Sequence, residues 1–235
     1  MSALLLARGD SLAKELLRAA IEARYGVRPP LLDALQLEVK GRMFARLGPV
    51  SRWLPFSATL TLKLPLSFHY DYTLRLSGMP LRHSVQAYDG MVLRREESGE
   101  PVVITEQQVI HSVQQRLWAA LAVLLVPLTE THVTLHAAGE HLIEATNSDT
   151  DDSALIVLDD EYRVESIQSN AYNAQAGETQ VFKLELDPAY VELGGLLLPR
   201  SMTCLWDDEP FMEIEPVEAT INPALDDALF VLAED

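Results

Sequence analysis

Three histidines crowd one short segment: His132, His136 and His141, with Glu140 among them. His132 and His136 are four residues apart, which in a strand places both on one face. Imidazoles on a shared face are part of a zinc site. They alternate with Val133 and Leu135, so the polar side of a half-buried strand accounts for them equally well. The stretch NSDTDDS offers Asn147, Asp149 and Asp151 at calcium-loop spacing. Its sixth position is Asp152 where such a loop needs glycine, and its twelfth is Leu158 where it needs glutamate, so a solvated turn is expected. Ser84 follows His83, and adjacent strand residues point to opposite faces, which denies them a nucleophile–base contact. Cys204, in MTCLW, alternates with Met202 and Trp206 and reads as a buried, inert thiol. As the one cysteine, it excludes a disulfide framework or a cysteine-built zinc site within the chain. No G-x-S-x-G, P-loop or G-x-G-x-x-G occurs. The expectation is a non-enzyme, with no catalytic residue, metal or cofactor assigned.

The aromatic residues are more suggestive. Trp53 and Phe56 lie in PVSRWLPFS, read as a proline-rich loop that covers the core or lines an entrance. Tyr70, Tyr72 and Phe182 fall on the apolar side of alternating segments, as does Leu62. RLWAALAVLLVPL runs eleven apolar residues from Leu117 to Pro127. A bilayer takes about 20, so this is no membrane span. Leu121, Leu124 and Leu125 continue a core stripe, and Trp118, Ala122 and Val126 fall on another face; all of these but Leu124, together with Trp53, Phe56, Leu62, Tyr70, Tyr72 and Phe182, are the expected ligand contacts.

These residues need elements to position them. GDSLAKELLRAAIEARYGVRPP predicts a helix with Asp10 or Ser11 as N-cap and Gly26 after its last turn. A second helix is predicted over 106–126, opened by a Thr105/Gln108 capping box and stopped by Pro127. Elsewhere the period is two. LQLEVKGRM puts Leu35, Leu37, Val39, Gly41 and Met43 on one face; ATLTLKLPL and FHYDYTLRL behave likewise. Asp89-Gly90, Gly139-Glu140, Asp159–Glu161 and Asp207-Asp208-Glu209 mark hairpin turns, and Pro216 implies a bulge or an edge. About ten antiparallel strands with two helices make an α+β pattern. Two helices cannot cover both faces of so wide a sheet. The expected architecture is one strongly curved antiparallel sheet, an open half-barrel, with the helices on its concave side, formed by a single domain over residues 1–235.

The charge balance is 18 basic against 35 acidic residues, a net of −17. That argues against a sequence-independent grip on nucleic acid and against an anionic membrane surface. Hydrophobic residues make up 48%, enough for a sizeable core. MSALLLARGDS lacks the basic start and the apolar length of an export signal. As it stands the chain reads as cytoplasmic, or as an envelope or periplasmic protein if a signal has been removed.

The order of elements resembles the LolA/LppX-type family of lipoprotein carriers, lipid-binding lipoproteins and envelope-stress sensor domains. The resemblance rests on AKELLRAAIEARYG leading into LDALQLEVKG, on QAYDGMVLRR, on the helix ending LLVPL, and on GGLLLPRSMTCLW followed by VEATINPALDDALF. It implies an open half-barrel around an apolar cavity. The leading expectation is a carrier that buries a lipid, acyl chain or lipid-modified peptide, with helix 106–126 and loop 48–57 as a lid. Each buried methylene contributes about 0.8 kcal/mol, enough to hold a fatty chain without specific polar contacts. The competing readings are an interaction or sensor module with a packed core and a protein partner, and a hydrolase with an unrecognised site.

Overall fold

The structure is a computed structural model that describes residues 6–26, 29–97 and 99–232. A short strand β1 (Arg8–Gly9) leads into helix α1 (Ser11–Tyr25). Asp10 caps α1: its Oδ1 accepts from the Ala13 amide at 2.7 Å. Ala13, Leu16, Leu17, Ala20 and Ile21 form the buried stripe, and Gly26, at φ 65°, ends the helix as expected.

Strands β2 (Ala34–Leu47), β3 (Val50–Lys63), β4 (Ser67–Leu76), β5 (Met79–Tyr88), β6 (Leu93–Glu96) and β7 (Val102–Ile104) follow as an antiparallel meander. Helix α2 (Gln107–Ala122) and a 3₁₀ turn (Val126–Thr129) then precede β8 (Val133–Gly139), β9 (Leu142–Asn147), β10 (Asp152–Leu158), β11 (Val164–Asn173) and β12 (Glu178–Leu186). A separate hairpin, β13 (Tyr190–Leu193) with β14 (Leu196–Pro199), leads to β15 (Met202–Trp206) and β16 (Glu209–Ile221). A second 3₁₀ turn, Asp227–Phe230, buries Phe230.

Fourteen strands form one open sheet in the order β1-β8-β9-β10-β11-β12-β15-β16-β2-β3-β4-β5-β6-β7, against the ten or so expected from alternation. The excess includes short pieces such as β1 and β7, two and three residues long, too short to show a period. Pairing is antiparallel except for β1 on β8 among the described residues. Residues 48–57 are not a loop, as the prolines suggested. Gly48, at φ 63°, turns β2 into β3, and both strands run fourteen residues. Pro55 is tolerated because β4 pairs with β3 only from Phe56 onward, leaving that margin of the strand free. Pro216 does sit at a bulge, where the β16–β2 register shifts. Gly41 lies on the buried face, paired with Phe56; a Cβ there would meet the Glu213 carbonyl oxygen at 1.9 Å. Only glycine lets β2 and β16 approach so closely.

Helix α2 departs from expectation at both ends. Its N-cap is Glu106, with no side-chain cap, so the Thr105/Gln108 box does not form. It stops at Ala122 instead of running to Val126, and Leu125 takes φ 63°. Pro127 explains the early stop: its ring clashes with the carbonyl four residues back, that of Val123, and it has no N–H to offer that carbonyl. Helix α1 supplies the missing donors. The Arg24 guanidinium donates to the Val123 carbonyl, and the Tyr25 hydroxyl donates to the Leu124 carbonyl at 3.2 Å. Arg24 also lies against the Tyr190 ring, 5.0 Å from its centroid.

Helix α2 is anchored along its length. Ser112 Oγ donates to the Tyr172 carbonyl on β11 at 2.7 Å, Trp118 Nε1 to the Ala145 carbonyl on β9 at 2.8 Å, and Gln114 Nε2 to the Tyr88 hydroxyl on β5 at 2.6 Å.

Candidate functional site

The inner sides of β4, β12, β15 and β16 carry a group of aromatic residues facing α2. Tyr70 and Tyr72 stack on β4 with centroids 5.4 Å apart. Phe182 on β12 is paired in register with Trp206 on β15, their rings 5.3 Å apart, and Trp206 stacks on Phe211 of β16 at 5.9 Å. The Arg116 guanidinium reaches this group from α2, its Cζ 6.0 Å from the Trp206 centroid. Tyr70, Arg116 and Cys204 are enclosed deeply enough that burial dominates the ionisation of each. Tyr70, Tyr72, Arg116 and Trp206 nevertheless keep accessible surface. These groups, enclosed by protein yet partly accessible, form one aromatic cluster with a cation beside it.

The chemistry of this cluster is quiet. Burial raises the Tyr70 phenol above its ordinary value and pushes the Cys204 thiol up to about 12, so neither ionises near neutrality. The Cys204 expectation holds: the thiol is buried and inert. Ser84 and His83 part as their alternation requires. Ser84 is fully buried, whereas exposed His83 pairs with Asp71 at 2.8 Å. Of the three histidines, His136 Nδ1 faces Asp10 Oδ2 at 3.1 Å and His141 stacks on Tyr162. Asp10 sits below its ordinary value, chiefly through the Ala13 and Ala137 amides that it accepts. Asp152, from the failed calcium loop, is a buried carboxylate whose oxygens find no hydrogen bond; desolvation raises its pKa, and His111 Nδ1 stands 3.7 Å away.

The residues singled out from the sequence divide into three groups. Tyr70, Tyr72 and Phe182 belong to the aromatic cluster. Phe56 and Leu62 are buried on the inner face of β3, with Phe56 lying over Gly41. Trp53 belongs to the other side of the sheet: it is paired with Phe44, at 5.8 Å, and carries the Arg42 guanidinium 5.0 Å above its ring. Its outward direction follows from alternation, since Leu54 and Phe56, one and three residues further on, point inward. Trp118, Leu121, Ala122 and Leu125 are 2% exposed or less and are packed core around the end of α2; Val126 alone of that set keeps some surface. Arg116 and Trp206 were not anticipated as site residues. The signal existed: Arg116 stands three residues after Val113 and seven after Val109, on the helix's apolar stripe.

A groove of about 530 Å³ runs across β2, β3, β15 and β16, lined by Lys40, Arg42, Pro55, Thr203, Glu213 and Glu215 among others. Its charges are internally matched. Arg42 forms a two-pronged pair with Glu213, both contacts 2.6 Å, which holds Glu213 below its ordinary value, and Lys40 meets Glu215 at 3.3 Å.

The fold is α+β, two helices on a large, open, mostly antiparallel sheet, and the sequence itself finds no counterpart: no family model and no curated protein matches it. Solved structures with this architecture do exist. A DUF1329 family protein from Desulfovibrio piger superposes with a TM-score of 0.52 at 9% identity, over 94% of this chain and 98% of its own. A LolA superfamily protein from Nitrosomonas europaea gives 0.51 at 11% identity, over 93% and 96%. An outer membrane lipoprotein-sorting protein domain from Vibrio parahaemolyticus gives 0.48 at 8% identity, over 92% and 97%. The resemblance in element order is therefore matched by a likeness in fold. No helix among the described residues is long and apolar enough to cross a membrane.

Proposed function

We propose that this chain, taken as one domain, is a non-enzymatic binding protein that holds a lipid, an acyl chain or a lipid-modified peptide between α2 and the inner face of a half-barrel sheet. The aromatic cluster carries this reading: rings from four strands, enclosed by protein yet keeping accessible surface, are what an apolar chain would lie against.

Curvature is supported by what α2 touches. Tyr88 on β5 and Ala145 on β9 are nine places apart in the sheet, roughly 43 Å if it were flat at about 4.8 Å per strand. A sixteen-residue helix is roughly 24 Å long, yet α2 hydrogen-bonds to both strands. Tyr70 and Cys204, on strands four places apart, are close enough for their charges to interact. Both observations favour a sheet wrapped around the helix. The likeness in fold to a LolA superfamily structure points the same way.

Ligand contacts fall to Tyr70, Tyr72, Phe182 and Trp206, with Val126 at the margin; the packed residues Trp118, Leu121, Ala122 and Leu125 serve as the wall behind them. Two measurements test the reading: native mass spectrometry with solvent extraction of the purified protein, and titration with a fluorescent fatty acid. Co-purifying lipid or saturable uptake is expected. Absence of both refutes the function.

A further inference from the structure

Among the described residues, Arg116 has no carboxylate partner and Arg95 has only a distant, shared one. Arg116 shares the apolar stripe of α2, and its Nε donates to the Ser112 carbonyl one turn back at 3.3 Å. Among the described residues its guanidinium meets an aromatic face and no carboxylate. Arg95 follows fully buried Leu93 by two positions, so it shares that face of β6, at a place where its side chain is 35% exposed. Its Nε is buried with no hydrogen-bond partner. The nearest carboxylate, Glu97 Oε1, is 4.0 Å away and is already taken by Arg82 at 2.5 Å. Arg95 and Arg116 repel one another, and burial weighs further against the Arg116 cation.

Unmatched like charges beside an aromatic cluster are costly to a fold. The outer surface shows that this chain can match its arginines when matching is all that is needed, as Arg42 with Glu213 and Arg163 with Asp159 demonstrate. Guanidinium groups are planar forks suited to carboxylate and phosphate oxygens, so two of them without an internal counter-ion suit an anion from outside. A net charge of −17 works against free anions, whereas an anion attached to an apolar chain gains by burying that chain.

We propose that the ligand is an amphiphile with an oxyanion head, a carboxylate or a phosphate monoester, held by Arg95 and Arg116 while its chain lies along Tyr70, Tyr72 and Trp206. This rests on the apolar-ligand function above and adds the chemistry of the head.

The test is calorimetric titration of the full chain at pH 7.5 with oleate, oleyl alcohol, oleoyl lysophosphatidate and inorganic phosphate. At least one of the two acids binds about tenfold or more tightly than the alcohol, and the ratio of the acids tells carboxylate from phosphate. Arg116→Met and Arg95→Met each bring that acid down to the alcohol's affinity and leave the alcohol unchanged. Equal affinity of acids and alcohol for the unaltered protein overturns the head site while the apolar-ligand function stands, and needs no variant to fold. Uptake of none of the chains overturns both. Inorganic phosphate binding as tightly as the lysophosphatidate overturns the amphiphile, since the chain would then contribute nothing.

Discussion

Replacing Arg24 by methionine tests how the end of α2 is held. The substitution keeps the length and much of the packing of the stem but removes the guanidinium. Among the described residues, Arg24 is the sole donor to the Val123 carbonyl, because Pro127 has no N–H to give. Leaving a buried acceptor unpaired costs about 1–3 kcal/mol. Losing the cation from the Tyr190 face at 5.0 Å and the Tyr25 face at 5.8 Å adds about 1 kcal/mol. A small gain from no longer burying a charge offsets part of this, leaving a net loss of about 1–3 kcal/mol. At about 2–4 °C per kcal/mol for a chain of this size, Tm falls by about 2–12 °C. Urea unfolding followed by circular dichroism and tryptophan fluorescence gives the difference directly, with Arg18→Met on the exposed side of α1 as control. Pro127→Ala in the Arg24→Met background restores an N–H near Val123 and recovers part of the loss. If Arg24→Met unfolds within 0.5 kcal/mol of the control, the proline–arginine complementarity is wrong.

Three further outcomes follow from particular contacts. Gly41→Ala drives a Cβ into the Glu213 carbonyl and destabilises by more than about 3 kcal/mol or prevents soluble expression, while Gly26→Ala, with open space but φ 65°, loses only about 1 kcal/mol; equal effects in denaturant melts would contradict the close approach of β2 and β16. Asp152 has a raised pKa in the folded state, so its contribution is fully present below the ordinary value of 3.8 and is lost as pH rises through the folded value. Asp152→Asn is therefore more stable than the unaltered protein at pH 7, by on the order of 1 kcal/mol, with the advantage vanishing in acid; a pH-independent difference would remove desolvation as the cause. Trp118→Phe forfeits the bond to the Ala145 carbonyl and some buried area, and lowers stability by about 1–3 kcal/mol without changing ligand affinity; a loss of affinity at unchanged stability would return Trp118 to the binding surface.

Much of the fold was written in local signals. Asp10, Gly26, Asp89-Gly90, Gly139-Glu140 and Pro216 each did what their backbone chemistry requires. Where reading failed, distant partners decided. Pro55 looked like a loop residue because nothing local shows that β4 stops short of it. Pro127 ends α2 early by denying Val123 a donor, and the group that serves that carbonyl instead, Arg24, lies 99 residues away. The candidate site was half visible. Strand alternation found Tyr70, Tyr72 and Phe182, but an even run of apolar residues in α2 could not tell packed wall from open surface. Arg116 was passed over because a lone charge at the margin of an apolar run resembles a solvated boundary.

The sheet order carries a consequence for how the molecule comes into being. Its middle is the β2–β16 pair, which joins the first long strand to the last; Arg42 and Glu213 are 171 residues apart. Each flank can zip from local hairpins, but the seam between them must wait for nearly the whole chain. Loop closure over such a separation is slow. Until it happens, β2 and β16 are bare edges, each a template for a second molecule. Refolding should therefore be rate-limited at this seam and sensitive to protein concentration. A chain ending before residue 209 should leave two half-sheets that associate with each other's copies instead of closing.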